Sequence, residues 1–149
     1  MRVLMLFLAI GLSAPSCAAF AQQRASDENA IRSQVKALEG ALNTRDAIGG
    51  AGLFAEDGDQ IVLSSSLYRG RSTIERAYRE KRLAIPEGKH ILITVQSVRF
   101  ISPDVALVDV EGQLVETPST SKDRAFYVMV RRGGSWHIAA LRVFAPEGS

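Results

Sequence analysis

Cysteine is all but missing from this chain. Its one copy, Cys17, falls inside the first segment, which reads as an export leader. With that leader removed no thiol remains. An oxidising compartment then supplies no disulfide, and thiolate metal sites and cysteine nucleophiles are excluded. An excess of charge is missing too: 18 Lys plus Arg stand against 16 Asp plus Glu, a formal +2 over 149 residues. Bulk charge therefore excludes a polyanion-coating protein. Histidine is scarce, with His90 and His137 in different predicted strands. A zinc site needs three or four ligands, so no metal is expected, and no cofactor motif is present. No apolar run reaches membrane-span length. Internal repeats and low-complexity segments are likewise absent.

What is present at the N-terminus is a signal peptide. Arg2 supplies the positive start and Val3–Leu12 the apolar stretch. Ser13-Ala14-Pro15-Ser16 breaks it, and Ala19-Phe20-Ala21 is an A-x-A cleavage pattern. Residues 1–21 are expected to be removed between Ala21 and Gln22, leaving a secreted or periplasmic protein with no membrane attachment. Lipidation at Cys17 would need a leucine three positions earlier, where Ala14 stands. Residues 22–26 are expected to form a flexible N-terminus and residues 27–146 a single domain with one core.

Ser26 is the expected N-cap of a first helix, with Asp27 and Glu28 in its first turn. Ile31, Val35, Leu38 and Leu42 make one apolar stripe, and the helix is expected to reach about Arg45. A shorter helical piece is predicted over 46–55, weakened by three glycines and anchored by Leu53 and Phe54. Glu56-Asp57-Gly58-Asp59 reads as a turn, and Ile61-Val62-Leu63 and Leu67-Tyr68-Arg69 as short strands. Ser72 and Glu75 form an S-x-x-E capping box for a third helix with Ile74, Ala77 and Tyr78 inside. Pro86-Glu87-Gly88 lies beyond its end. From Lys89 the period becomes two, predicting four long strands over 90–101, 105–116, 122–132 and 135–144. The turns between them are Ser102-Pro103-Asp104, a loop over Thr117–Ser121, and Gly133-Gly134. Helices first and a meander after is an α+β order.

Pairing the last three strands separates two faces. Val108, Val110, Leu114, Phe126, Val128, Val130, Ala139, Leu141 and Val143 make the apolar one, expected under the helices. Asp109, Glu111, Tyr127, Met129, Arg131, Trp136, Ile138 and Arg142 make the mixed one, expected outside. A bulge would swap the tail of either set.

Three stretches carry a family likeness: FAEDG (Phe54–Gly58), YRGRSTIERAY (Tyr68–Tyr78) and RRGGSWHIAALR (Arg131–Arg142). In this order and spacing the chain resembles the nuclear transport factor 2-like superfamily. It is most similar to the SnoaL-like branch related to polyketide cyclases and ketosteroid isomerases, over essentially all of residues 27–146. The resemblance implies a cone-shaped roll in which a curved antiparallel sheet, four long strands plus short early ones, wraps around three helices. It also implies a homodimer through the outer sheet face, centred here on Tyr127, Met129, Trp136 and Ile138. By the same resemblance the isomerase base falls at Val62, the oxyanion tyrosine at Leu38 and the protonated aspartate at Phe126. None of these can transfer a proton or hold an oxyanion. One supporting tyrosine survives as Tyr78, and Phe54 replaces another.

The resemblance therefore implies a pocket lined by Leu38, Phe54, Val62, Tyr78, Phe126, Val128 and Leu141. Its ligand is a small apolar molecule bound without isomerase chemistry. The alternative is an isomerase, cyclase or hydrolase acting on a small hydrophobic substrate with catalytic groups not identified. Asp109, Glu111, Tyr127 and Arg142 form an alternative polar site, should their face be the interior. Other motifs carry less. Glu56, Asp57 and Asp59 lack the calcium-loop spacing, and Gly49–Gly52 follows no strand as a phosphate cradle must. The basic residues of 69–82 can pair with Glu75 and Glu80 at i,i+4, so no nucleic-acid partner is expected.

Overall fold

The structure is a computed structural model that describes residues 17–63, 66–80, 85–115 and 120–144. Its elements are α1 (Cys17–Thr44), α2 (Ala47–Gly52), β1 (Phe54–Val62), β2 (Tyr68–Arg69) and α3 (Arg71–Arg79). Then come β3 (His90–Ser102), β4 (Val105–Val115), β5 (Thr120–Arg132) and β6 (Ser135–Phe144). The helices pack on one face of a curved six-stranded sheet of order β2-β1-β6-β5-β4-β3. The expected antiparallel roll is thus a mixed sheet. The meander β3 to β6 is antiparallel, but β1 runs parallel to β6. A parallel pair needs a long connection, and the stretch from β1 through α3 and the meander provides it.

The first helix starts earlier than Ser26 predicts. Cys17–Arg24 is rich in alanine and glutamine, good helix formers, so the helix runs unbroken through the expected cap and through residues 22–26. The predicted stripe is the buried one: Ile31, Val35 and Leu38 are fully covered. Its polar flank has a second task. Asn43 donates to Ile91 O and accepts from Ile91 N, both at 2.8 Å. Glu39 accepts from Ile93 N at 2.7 Å, and Arg32 donates to Val95 O at 3.2 Å. These side chains lie along the free edge of β3 and satisfy backbone groups that an edge strand otherwise leaves open to another chain.

Helix α2 is shorter than predicted, capped by Asp46, whose carboxylate accepts from Gly49 N at 2.9 Å. Gly50 is there for packing, since a Cβ would sit 3.3 Å from the Tyr78 ring. Phe54 through Asp59 is strand, not the expected helix end and turn. Its register with β6 shifts between Phe54 and Asp59, and a Cβ on Gly58 would lie 2.7 Å from Ile138 O. FAEDG is therefore a bulged strand whose glycine lets β6 approach. The Ser72–Glu75 box does not form. Helix α3 begins two residues sooner, on Gly70 at φ 85°, with no side-chain cap. Glu75 instead pairs with Arg79 at 2.7 Å, as the spacing predicts.

The strand faces need the largest correction. Val108 and Val110 are inside as expected, but their β5 partners are Tyr127 and Ala125. Ala125, Tyr127 and Met129 are buried, and Phe126, Val128 and Val130 are on the outer face. In β6, Trp136 and Ile138 are buried. A register shift opposite Val128/Met129 then leaves Ala139 unpaired and returns Leu141 and Val143 to the inside. The four residues expected at a dimer centre are consequently core. Trp136 Nε1 and Arg131 both donate to Asp27, which ties the start of the buried part of α1 to the sheet.

Candidate ligand-binding cavity

The helices do not fill the wide end of the sheet. A cavity of about 280 Å³ remains there, between α1 and the inward faces of five strands. Leu38 and Leu42 come from α1, Gln60 and Val62 from β1, Ile91 and Ile93 from β3, and Leu114 from β4. Asp123 and Tyr127 come from β5, Leu141 and Val143 from β6, with Leu63, Ile85 and Pro86 also in the wall. Most of this wall is hydrocarbon, and a few polar groups break it, the usual make-up of a small-molecule site. Leu63 adopts φ 51° with its N–H on Val143 O at 3.0 Å. A left-handed leucine costs of order 1 kcal/mol, and this hydrogen bond to β6 holds it.

Three of the seven predicted pocket residues line the cavity: Leu38, Val62 and Leu141. Phe54 and Tyr78 are buried in the core instead. Phe126 and Val128 are on the opposite side of the sheet, because β5 has the other parity. The alternative polar site does not assemble either. Tyr127 faces inward, while Asp109 and Glu111 face out, bonded to Ser97 (2.5 Å) and to Lys122 (3.2 Å). Arg142, also outside, donates to Asp59 at 2.6 Å.

Of the polar groups lining the cavity, Gln60 and Asp123 are ones the sequence reading passed over, while Tyr127 was expected in the alternative polar site and at the dimer centre. Gln60 is almost wholly buried, and its Oε1 accepts from the Tyr78 hydroxyl at 2.8 Å. The Gln60 side chain also lines the cavity. Burial pushes the Tyr78 and Tyr127 hydroxyls well above the usual phenol range, and Tyr78 adds to the effect at Tyr127. Both are therefore neutral donors at physiological pH. Asp123 is half-buried, has no hydrogen-bond partner among the described residues, and burial alone pushes its carboxyl up. Its signal was available in the sequence: Asp123 and Tyr127 are four apart on a strand, so they share a face.

Elsewhere the groups are structural. His90 opens β3 and His137 is on β6 opposite Val130. Among the described residues no three His, Cys, Asp or Glu side chains gather as metal ligands, and no helix is long and apolar enough to cross a membrane.

Comparison with solved structures settles the architecture. A protein from Novosphingobium aromaticivorans described as NTF2-like with a cystatin-like fold superposes with a TM-score of 0.76. It has 16% identity, over 93% of this chain and 94% of that one. The fold is that of the nuclear transport factor 2-like superfamily. A domain of unknown function with a cystatin-like fold from Nostoc punctiforme matches the NTF2-like fold of this chain at a TM-score of 0.74 and 25% identity, over 81% of this chain and 78% of that. A candidate scytalone dehydratase from N. aromaticivorans matches at 0.69 and 16%, over 87% and 98%. No family model and no curated protein matches the sequence. At these identities the NTF2-like likeness is one of fold, and function rests on the cavity.

Proposed function

We propose that this is an exported protein that binds a small, largely apolar molecule in its cone cavity, without steroid-isomerase chemistry. The observation that carries the reading is the 280 Å³ cavity itself, walled by hydrocarbon and lined at a few points by Gln60, Asp123 and Tyr127. Burial of the ligand's apolar surface drives binding at about 25 cal/mol per Å². Gln60 and Tyr127 fix its orientation. Leu38 and Val62 stand at the positions where the resemblance puts the isomerase oxyanion donor and base, and neither can act as one. The test is a thermal-shift titration with a neutral bicyclic probe such as 1-naphthylmethanol. The expected result is a rise in Tm that saturates, and that is lost in Val62→Trp, whose ring occupies the cavity. A wild type whose Tm does not move at saturating probe refutes the reading.

One observation favours a second reading, an enzyme of the isomerase, cyclase or hydrolase kind. Asp123 is an acid in an apolar cavity with no hydrogen-bond partner among the described residues, the setting in which carboxyls serve as general acids and bases. Turnover of a β,γ-unsaturated ketone that disappears in Asp123→Asn would replace binding by catalysis.

A further inference from the structure

The charge of the cavity is one-sided. Among the described residues that line it, Asp123 is the one side chain that carries a charge at neutral pH, and no Lys, Arg or His joins it. Its cross-strand partner on β4 is Gly112, so no side chain covers the carboxyl from that strand. A methyl group on Gly112 would make ordinary van der Waals contact with Ile91 Cδ1 at 3.8 Å, so the surface beside Asp123 on that strand is backbone and hydrocarbon. Two nearby cations are engaged on the outer face, Lys122 with Glu111 at 3.2 Å and Arg142 with Asp59 at 2.6 Å, and Arg124, next to Asp123 in the strand, has the opposite parity and is exposed. None of the cavity residues from the surrounding elements titrates: Leu114 on β4, Ile91 on β3, Val143 on β6 and Leu42 on α1. Tyr127, on the same strand, stays neutral.

The remaining polar groups have the opposite character. The Tyr127 hydroxyl and the Gln60 NH2 donate. Tyr127 is four residues from Asp123 along one strand face, about 13 Å between Cα atoms at the usual rise. One end of the cavity thus offers neutral donors and the other a lone acceptor bearing charge, with hydrocarbon between.

We propose that the ligand is a small amphiphilic amine, held by its hydrocarbon body in the cavity, with its protonated nitrogen on Asp123. This inference rests on the binding reading above and names the ligand class. A protonated amine makes a charge-assisted hydrogen bond, roughly twice as strong as a neutral one. It also returns to the Asp123 carboxylate the stabilisation that burial removed. An anionic amphiphile, by contrast, would bring like charge against Asp123 with no cation among the described wall residues to offset it. The bound amine favours the ionised carboxylate, so affinity rises as pH increases through the Asp123 pKa and falls again when the amine itself deprotonates.

Three probes sharing one ring system test this by calorimetric titration at pH 8: 1-naphthylmethylamine, 1-naphthylmethanol and 1-naphthoate. The amine is expected to bind about tenfold tighter than the alcohol, a difference of about 1.4 kcal/mol. Naphthoate is expected to bind weakest. In Asp123→Asn the advantage of the amine over the alcohol should vanish, the two binding with the same affinity to that variant. An alcohol that binds as well as the amine, or a preference that survives Asp123→Asn, overturns the amine proposal and leaves the binding reading standing. Failure of all three probes overturns both. Should the variant not fold, the ranking of the three probes on the wild type still decides the matter.

Discussion

Met129 and Phe126 are three residues apart on β5 and face opposite sides of the sheet. Met129 is fully covered, paired across the strands with Ala106 and Ile138. Met129→Ala removes three buried heavy atoms, worth about 0.8 kcal/mol each by transfer, and leaves a void that adds about 1 kcal/mol. The expected loss is about 3 kcal/mol. For a domain of this size about 1 kcal/mol moves Tm by about 4 °C, so the shift should be about 12 °C downward. Phe126 is half-exposed between Asp109 and Arg142. Its truncation opens no internal void, and Phe126→Ala should cost less than about 1 kcal/mol in the monomer. Chemical denaturation of both variants at a concentration where sizing shows monomer gives the two numbers directly. If Phe126→Ala costs as much as Met129→Ala, β5 has the other parity. Asp123 and Tyr127 would then leave the cavity, and both functional proposals would go with them.

Asp27 offers a second check. Burial pushes its carboxyl up, but hydrogen bonds from Arg131, Trp136 and Gln23 outweigh that and hold it below the ordinary carboxylate range. Asp27→Ala should cost about 3 kcal/mol, the low end for a broken buried pair, because Arg131 keeps Asp104 at 3.3 Å. A lowered pKa gives stability that is present above the unfolded value, near 3.8, and lost as pH falls through the folded one. The gap between wild type and Asp27→Asn in urea melts should therefore narrow as pH falls below about 3.8. A gap that is the same at every pH contradicts the ion pair. The outer sheet face, centred on Leu107, Phe126 and Val128 rather than on Trp136, is the proposed homodimer surface. Light scattering should give twice the monomer mass for the wild type and the monomer mass for Val128→Glu, and a wild-type monomer at tens of micromolar would remove this surface from consideration.

Much of the fold was legible because it rests on local rules. Period-two alternation and the Gly133-Gly134 turn, at φ 58° and 81°, set the four long strands and their hairpins. The 3.6-residue stripe set the buried face of α1, and Ile74, Ala77 and Tyr78 that of α3. Register across the β4–β5 connection was not legible. Treating Thr117–Ser121 as the loop pairs even residues with even, whereas Val115 in fact pairs with Thr120. That shift of three residues, an odd number, turns every β5 side chain over. Composition did not reveal it, because Phe126, Val128 and Val130 are as apolar as the residues that are inside. The bulge in β6 hid the error further by restoring Leu141 and Val143. Asp123 and Tyr127 were lost to the site by this slip alone. The acidic run Glu56–Asp59 was misread for another reason: three acids around a glycine look like a turn, and only the close approach of β6 explains the glycine.

The place of β6 in the sheet governs when this protein can exist. The C-terminal strand is not at an edge but between β1 and β5, and it is the element through which the two halves of the sheet are joined. Phe54 meets Ile138 and Gln60 meets Leu141, contacts that span some eighty residues of chain. Long closures of this kind form late, because the entropy of the intervening chain must be given up first. Until Ser135–Phe144 has been synthesised, β1 and the two short helices around it have only the two-residue strand β2 to join. The nascent polypeptide can make α1 and part of the meander, and little more. The complete sheet is thus withheld until this strand appears, and everything made before it waits in a partly assembled form.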